Sequence, residues 1–143
     1  MTYEGRCHCG SVNVWFKTEA APEDVQVRAC QCGHCRRHGT KTVSDPNGRM
    51  EVQAAPGSLR RYRFGPRTAD FLQCRECGCY MGAVITIEGR TLGVLNAAAA
   101  LMEPFVSRAG EPVSYDGEST ETKIARRMKG WTPAVVVEAM VNA

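Results

Sequence analysis

Three cysteines stand within six positions of the stretch ACQCGHCRR: Cys30, Cys32 and Cys35. Sulfur at this density serves either a disulfide framework or a metal. Cysteines one or two residues apart seldom bond to each other, but they readily hold one ion between them. Three thiolates fill three positions of a tetrahedral zinc, and the fourth position has two readings. Water or substrate there makes a reaction centre, because a thiol that reaches zinc is deprotonated and the same ion polarises a carbonyl oxygen. A fourth protein ligand makes a closed staple, and Cys79, His34, His38 and Asp45 are the candidates for it. Spacing alone leaves both readings open.

The remaining cysteines form two clusters, Cys7 with Cys9, and Cys74 and Cys77 with Cys79. Cys9 and Cys77 are followed by Gly10 and Gly78, which let the backbone turn tightly with amide N–H groups towards sulfur. Two cysteine pairs on glycine turns make a closed four-thiolate site, so Cys7, Cys9, Cys74 and Cys77 are read as a structural zinc. The expected load is two zinc ions per chain.

The 143 residues suffice for one domain, residues 1–143, and 43% hydrophobic content suffices for a core. Residues 1–15 have neither a basic start nor an apolar run of the kind that directs secretion. The longest nearly apolar run, Val94–Met102, is too short to span a bilayer. These features predict a soluble, cytoplasmic protein with no membrane partner, where thiols stay reduced. The formal net charge is +3, and seven thiolates with two Zn²⁺ bring it to about zero. With 7% aromatic residues, the chain offers neither a basic stripe nor a stacking platform, so no nucleic-acid partner is expected.

The elements that must position these ligands read as mostly β. Ser11–Lys17 alternates Val12, Val14 and Phe16 with more polar neighbours. Short strands are expected at Val25–Ala29, Met50–Gln53, Leu59–Phe64 and Ala69–Gln73, and a hairpin at Met81–Glu88 and Arg90–Leu95 around Gly89. Thr120–Lys129 reads as a helix stopped by Gly130. Thr132-Pro133 then resembles the start of a short helix through Val141, although Val135-Val136-Val137 equally suits a strand.

The motifs GRCHCGSV, CQCGHCRRHG and LQCRECG, in order over residues 5–78, resemble the glutathione-dependent formaldehyde-activating enzyme family, which also covers centromere protein V. The resemblance implies a β-tent of several small coiled antiparallel sheets stapled by zinc, with short C-terminal helical segments. It implies a structural zinc at Cys7, Cys9, Cys74 and Cys77 and a catalytic zinc at Cys30, Cys32 and Cys35. The implied activity is that of a carbon–sulfur lyase, joining glutathione to formaldehyde as S-(hydroxymethyl)glutathione. The sequence departs from the family's usual pattern at Gly33, at Cys79 and over Lys41–Gly48. The other reading is a zinc-stapled binding module or glutathione carrier without turnover.

Glutathione carries two carboxylates, and Arg36 and Arg37 beside the central cluster are the candidates to hold them; the plainer reading is a solvated basic turn. Arg61 and Arg63 share a strand face, and with Arg60 and Arg67 read as solvated charge, with binding of an anion or a partner as the other reading. His8 and His34 sit between ligands and are expected to point away from metal, while His38 could act as a base or orient a ligand. Trp15 and Trp131 read as core or rim aromatics, and Tyr80 as packing beside the structural zinc.

Overall fold

A computed structural model of the chain describes residues 1–138, and the fold is mostly β. Strand β1 (Thr2–Arg6) pairs antiparallel with β2 (Val12–Lys17), whose Val12, Val14 and Phe16 point inward as the alternation requires. After a 3₁₀ turn at Pro22–Asp24 come β3 (Arg28–Cys30), the short helix α1 (Gly33–His38), β4 (Thr42–Val43) and β5 (Arg49–Ala54). Three further strands, β6 (Leu59–Tyr62), β7 (Asp70–Cys74) and β8 (Tyr80–Ile87), form an antiparallel ribbon that continues onto β9 (Arg90–Asn96). The β8–β9 turn places Glu88 and Gly89 at φ of 51° and 76°, both left-handed, as a two-residue hairpin turn of the I′ kind needs. A single-turn helix α2 (Ala97–Ala100), β10 (Glu111–Val113), helix α3 (Thr120–Gly130) and β11 (Thr132–Glu138) complete the described chain.

The expected helix from Thr132 is instead this last strand; residues 139–141, where that helix would have ended, lie outside the described residues. Thr132-Pro133 mimics a helix start, but tertiary pairing decides the outcome. Val135–Val137 lies parallel to Glu51–Gln53, while Thr132 and Pro133 pair antiparallel with Gly93 and Leu92. β11 therefore pairs with both β5 and β9 and joins the two parts of the sheet. Gly93 permits that crossing, since a Cβ there would come within 2.9 Å of Met50 Sδ. The Val25–Ala29 strand begins later than expected, at Arg28, and runs through Cys30.

Two cores result. One lies between β1, β2 and β5, with Tyr3, Phe16 and Phe105 meeting edge to face or tilted. The other backs the β7–β8–β9 ribbon, where Phe71, Tyr80, Val94 and Trp131 are buried and Ile124 and Met128 of α3 pack on them. Ile124 and Met128 are four apart and so share one helix face. Buried Asn96 ties the pieces together, donating to Tyr80 O and accepting from Lys41 N and Ala98 N. No helix among the described residues is long and apolar enough to cross a membrane.

Candidate functional site

The fold gathers seven cysteines into two groups, with ligand atoms inside each lying within 4.8 Å of one another. The first group is Cys7, Cys9, Cys74 and Cys77. Its Cys7 and Cys9 sulfurs are 3.7 Å apart, and those of Cys9 and Cys74 are 3.6 Å apart. A tetrahedron with zinc–sulfur bonds of about 2.3 Å has edges of about 3.8 Å, whereas a disulfide needs about 2.05 Å. The residues therefore fit a tetrahedral ion. Gly10 and Gly78, at φ of 83° and 80°, turn the two knuckles, and Val12 N donates to Cys7 Sγ at 3.3 Å. The Ser11 contacts hold the Cys9 thiol below its ordinary value.

The second group is Cys30, Cys32 and Cys35, from the end of β3 and the start of α1. Cys32 is the N-cap of α1 and accepts from Cys35 N at 3.4 Å. Contacts from Cys30 and Cys35 push the Cys32 thiol down to about 2, the Cys32 contact pushes Cys30 up, and contacts from Cys30 and Cys32 push Cys35 up. Three sulfurs this close favour a thiolate flanked by thiols; a divalent cation between them would favour all three as thiolates. Among the described residues no fourth Cys, His, Asp or Glu joins them at that distance.

Cys79 does not close this group. Its sulfur lies against Cys77 and takes a hydrogen bond from the His8 backbone, on the side of the outer cysteines. His34 Nδ1 is 4.0 Å from Cys35 Sγ, and its ring is held among Phe64, Phe71 and Tyr80 at centroid distances of 5.1, 4.9 and 4.6 Å. Exposed His38 packs on His34 at 4.7 Å.

The central cysteines open onto a cavity of about 130 Å³. Phe64, Phe71, Val94 and Trp131 give it apolar walls. Tyr80 lies against the central group rather than the outer one, which corrects the sequence expectation: it lines the cavity, and its phenol is pushed well above its ordinary value by burial and by the three thiols. Strand alternation explains this, since Tyr80 and Cys79 on successive positions face opposite sides.

The cavity's cations are Arg28, Lys123, Arg126 and Arg127. Arg36 and Arg37 lie elsewhere, exposed on α1, with Arg37 Nη1 donating to Gly33 O at 3.0 Å. Arg61 and Arg63 both pair with Asp70, at 3.1 and 2.5 Å. Sequence reading missed the α3 cations because they resemble the basic end of any amphipathic helix. The signal available was the 3.6-residue period, which puts Lys123, Arg126 and Arg127 beside one another and next to the apolar Ile124–Met128 stripe.

A family model described as glutathione-dependent formaldehyde-activating enzyme matches residues 2–114. The chain belongs to the glutathione-dependent formaldehyde-activating enzyme family. It is also similar to a Rhodobacter sphaeroides protein known from its crystal structure, at 28% identity and a TM-score of 0.54, over 77% of this chain and 99% of that one. The segment matched to the family includes both cysteine groups and Tyr80, whereas Lys123, Arg126, Arg127 and Trp131 stand beyond it.

Proposed function

We propose that the chain is a single-domain zinc-dependent carbon–sulfur lyase that joins a thiol, glutathione in the family's name, to formaldehyde or a similarly small aldehyde. The observation that carries this is the group of Cys30, Cys32 and Cys35, without a fourth protein ligand among the described residues, in the lining of a cavity. Cys7, Cys9, Cys74 and Cys77 hold the structural ion in this reading, and the central three hold the catalytic one. When bound there, zinc supplies a thiol nucleophile at neutral pH by favouring the deprotonated sulfur.

In the reaction the sulfur lone pair forms the C–S bond, the carbonyl π pair moves onto oxygen, and the thiol's proton ends on that oxygen. Tyr80 is the cavity's phenolic donor, beside the central cysteines, and is suited to hydrogen-bond the oxygen as charge develops. Phe64, Phe71 and Trp131 keep water from the same space. The placement of Cys79 with the outer group favours this reading over a doubly stapled binding module.

The test follows the adduct by exchange NMR with zinc-loaded protein, glutathione and formaldehyde. Formation above the spontaneous rate is expected, lost in Cys35→Ser and reduced about 10²-fold in Tyr80→Phe. A wild-type rate equal to the spontaneous one refutes the activity.

A further inference from the structure

Among the cavity's cations, Arg127 is the most enclosed, at 8% exposed. Its Nη1 donates to Thr68 Oγ1 at 2.8 Å, its guanidinium lies 4.8 Å from the Trp131 ring centre, and its Nε is buried without a hydrogen-bond partner. No carboxylate of the described residues lies within ion-pair distance of it. A buried guanidinium that is neither paired nor fully hydrogen-bonded is costly on its own.

Its neighbours raise the same demand. Arg28 is half-buried, spends Nη2 on Ser44 Oγ at 2.7 Å and has no carboxylate partner among the described residues. Lys123, one turn before Arg127, lines the cavity and is likewise without a carboxylate partner. Arg126 is neutralised by Glu118, and one acid, Asp116, lines the cavity against four bases. These bases make a preformed anion site in the same cavity that the central cysteines line.

We infer that this cavity selects a compact thiol bearing a carboxylate, with Arg127 as the residue that fixes the carboxylate end and Lys123 and Arg28 in support. The cavity's size narrows the class. A cavity of about 150 Å³ holds one benzene, so about 130 Å³ encloses roughly six non-hydrogen atoms. A short mercaptocarboxylate such as 3-mercaptopropionate has that size; a longer thiol would enter only by its carboxylate-bearing end. Planar bidentate pairing is what arginine offers a carboxylate. Arg127 and Lys123 lie beyond the family match, while Arg28 lies within it. The thiol end rests on the function proposed above; the carboxylate end does not.

Trp131, on the cavity wall beside Arg127, reports binding by its fluorescence in a zinc-loaded Trp15→Phe background. The ligands are 3-mercaptopropionate, 2-mercaptoethanol, propionate and glutathione. The acid thiol is expected to bind at least tenfold more tightly than the neutral thiol, and propionate to bind measurably without any sulfur. Arg127→Met should bring the acid-to-neutral ratio to about one while leaving 2-mercaptoethanol unchanged, and Arg127→Lys should restore part of it. Lys123→Met, on a half-exposed helix position, should reduce the ratio about threefold and decides the matter if Arg127→Met does not fold. Tighter binding of 3-mercaptopropionate than of glutathione identifies the short acid as ligand; the reverse order identifies the end of a longer thiol. Equal affinity for acid and neutral thiols in the unsubstituted cavity, or a preference that survives both substitutions, overturns the inference. Retained preference without any aldehyde reaction leaves it standing and removes only the proposed activity.

Discussion

Replacing Asn96 by alanine is expected to destabilise the fold by about 3 kcal/mol. Asn96 is 1% exposed and serves three segments at once. Its Nδ2 donates to Tyr80 O at 2.9 Å, and its Oδ1 accepts from Lys41 N at 3.0 Å and Ala98 N at 3.2 Å. Each bond contributes about 1 kcal/mol net, and alanine leaves buried partners unpaired. For a domain of this size that corresponds to a melting shift of roughly 6–12 °C. Urea unfolding at pH 7 with zinc in excess measures it as a fall in midpoint at unchanged slope. Asn96→Asp adds a signed test. The carboxylate keeps both acceptor contacts, but it cannot donate to Tyr80 O and it is buried. Burial raises its folded pKa above the unfolded value, so its deficit is full above the folded pKa and shrinks as pH falls and the protonated carboxyl can donate. A loss below about 1 kcal/mol in Asn96→Ala, or an Asn96→Asp deficit that does not change with pH, refutes the three-way tie.

Cys77→Ser should remove one zinc by elemental analysis and lower the melting temperature by more than about 10 °C, because metal binding at a closed site is also folding energy. Cys35→Ser should remove the other zinc with a smaller thermal effect; equal thermal effects would contradict the division into structural and open sites. Glu118 accepts from Arg126 Nε and Nη2 at 2.9 and 3.1 Å, and those bonds, with the Arg126, Lys123 and Arg127 charges, hold its carboxyl below the ordinary 4.5. A depressed carboxylate stabilises above its unfolded pKa and ceases to as pH falls through the folded one. Glu118→Gln should therefore cost roughly 0.5–1 kcal/mol at pH 7 and progressively less as pH falls below the unfolded carboxylate range, measured by urea unfolding across that range.

The cysteine groups were legible because ligand spacing is local. Cys30, Cys32 and Cys35 need one turn and a helix cap to converge, and both outer pairs need one glycine each. Strands such as β2 were legible for the same reason, since Val12, Val14 and Phe16 state their face at a period of two. What the sequence hid is long-range. β11 reads as a helix start until β5 and β9 claim it, a pairing across about eighty residues of β5-to-β11 chain that no local pattern displays. The cavity's basic wall is hidden likewise. Arg36 and Arg37 are near the central cysteines in sequence and lie outside the cavity, while Arg127 is remote in sequence and lines it. Sequence distance pointed to arginines outside the cavity because the deciding contact is α3 seated on the β7–β9 ribbon through Ile124 and Met128.

One strand position divides the eight cysteines. β8 begins at Tyr80, whose ring faces the central cysteines and His34. With a side-chain period of two, the residue before it must face the other way, and Cys79 accordingly lies by Cys77 and Cys7. Moving the Cys79 sulfur to the central group would need a one-residue slip of β8. That slip would carry Tyr80 out of the cavity, Met81 out of the first core, and Ala83 and Ile85 out of the second. The register shift at Leu72 and Gln73 lets Tyr80 share the cavity side with Ala83, and the pairing from Gly82–Leu95 to Ile87–Arg90 holds the rest of the strand, so the eighth cysteine stays away from the three that open onto the cavity.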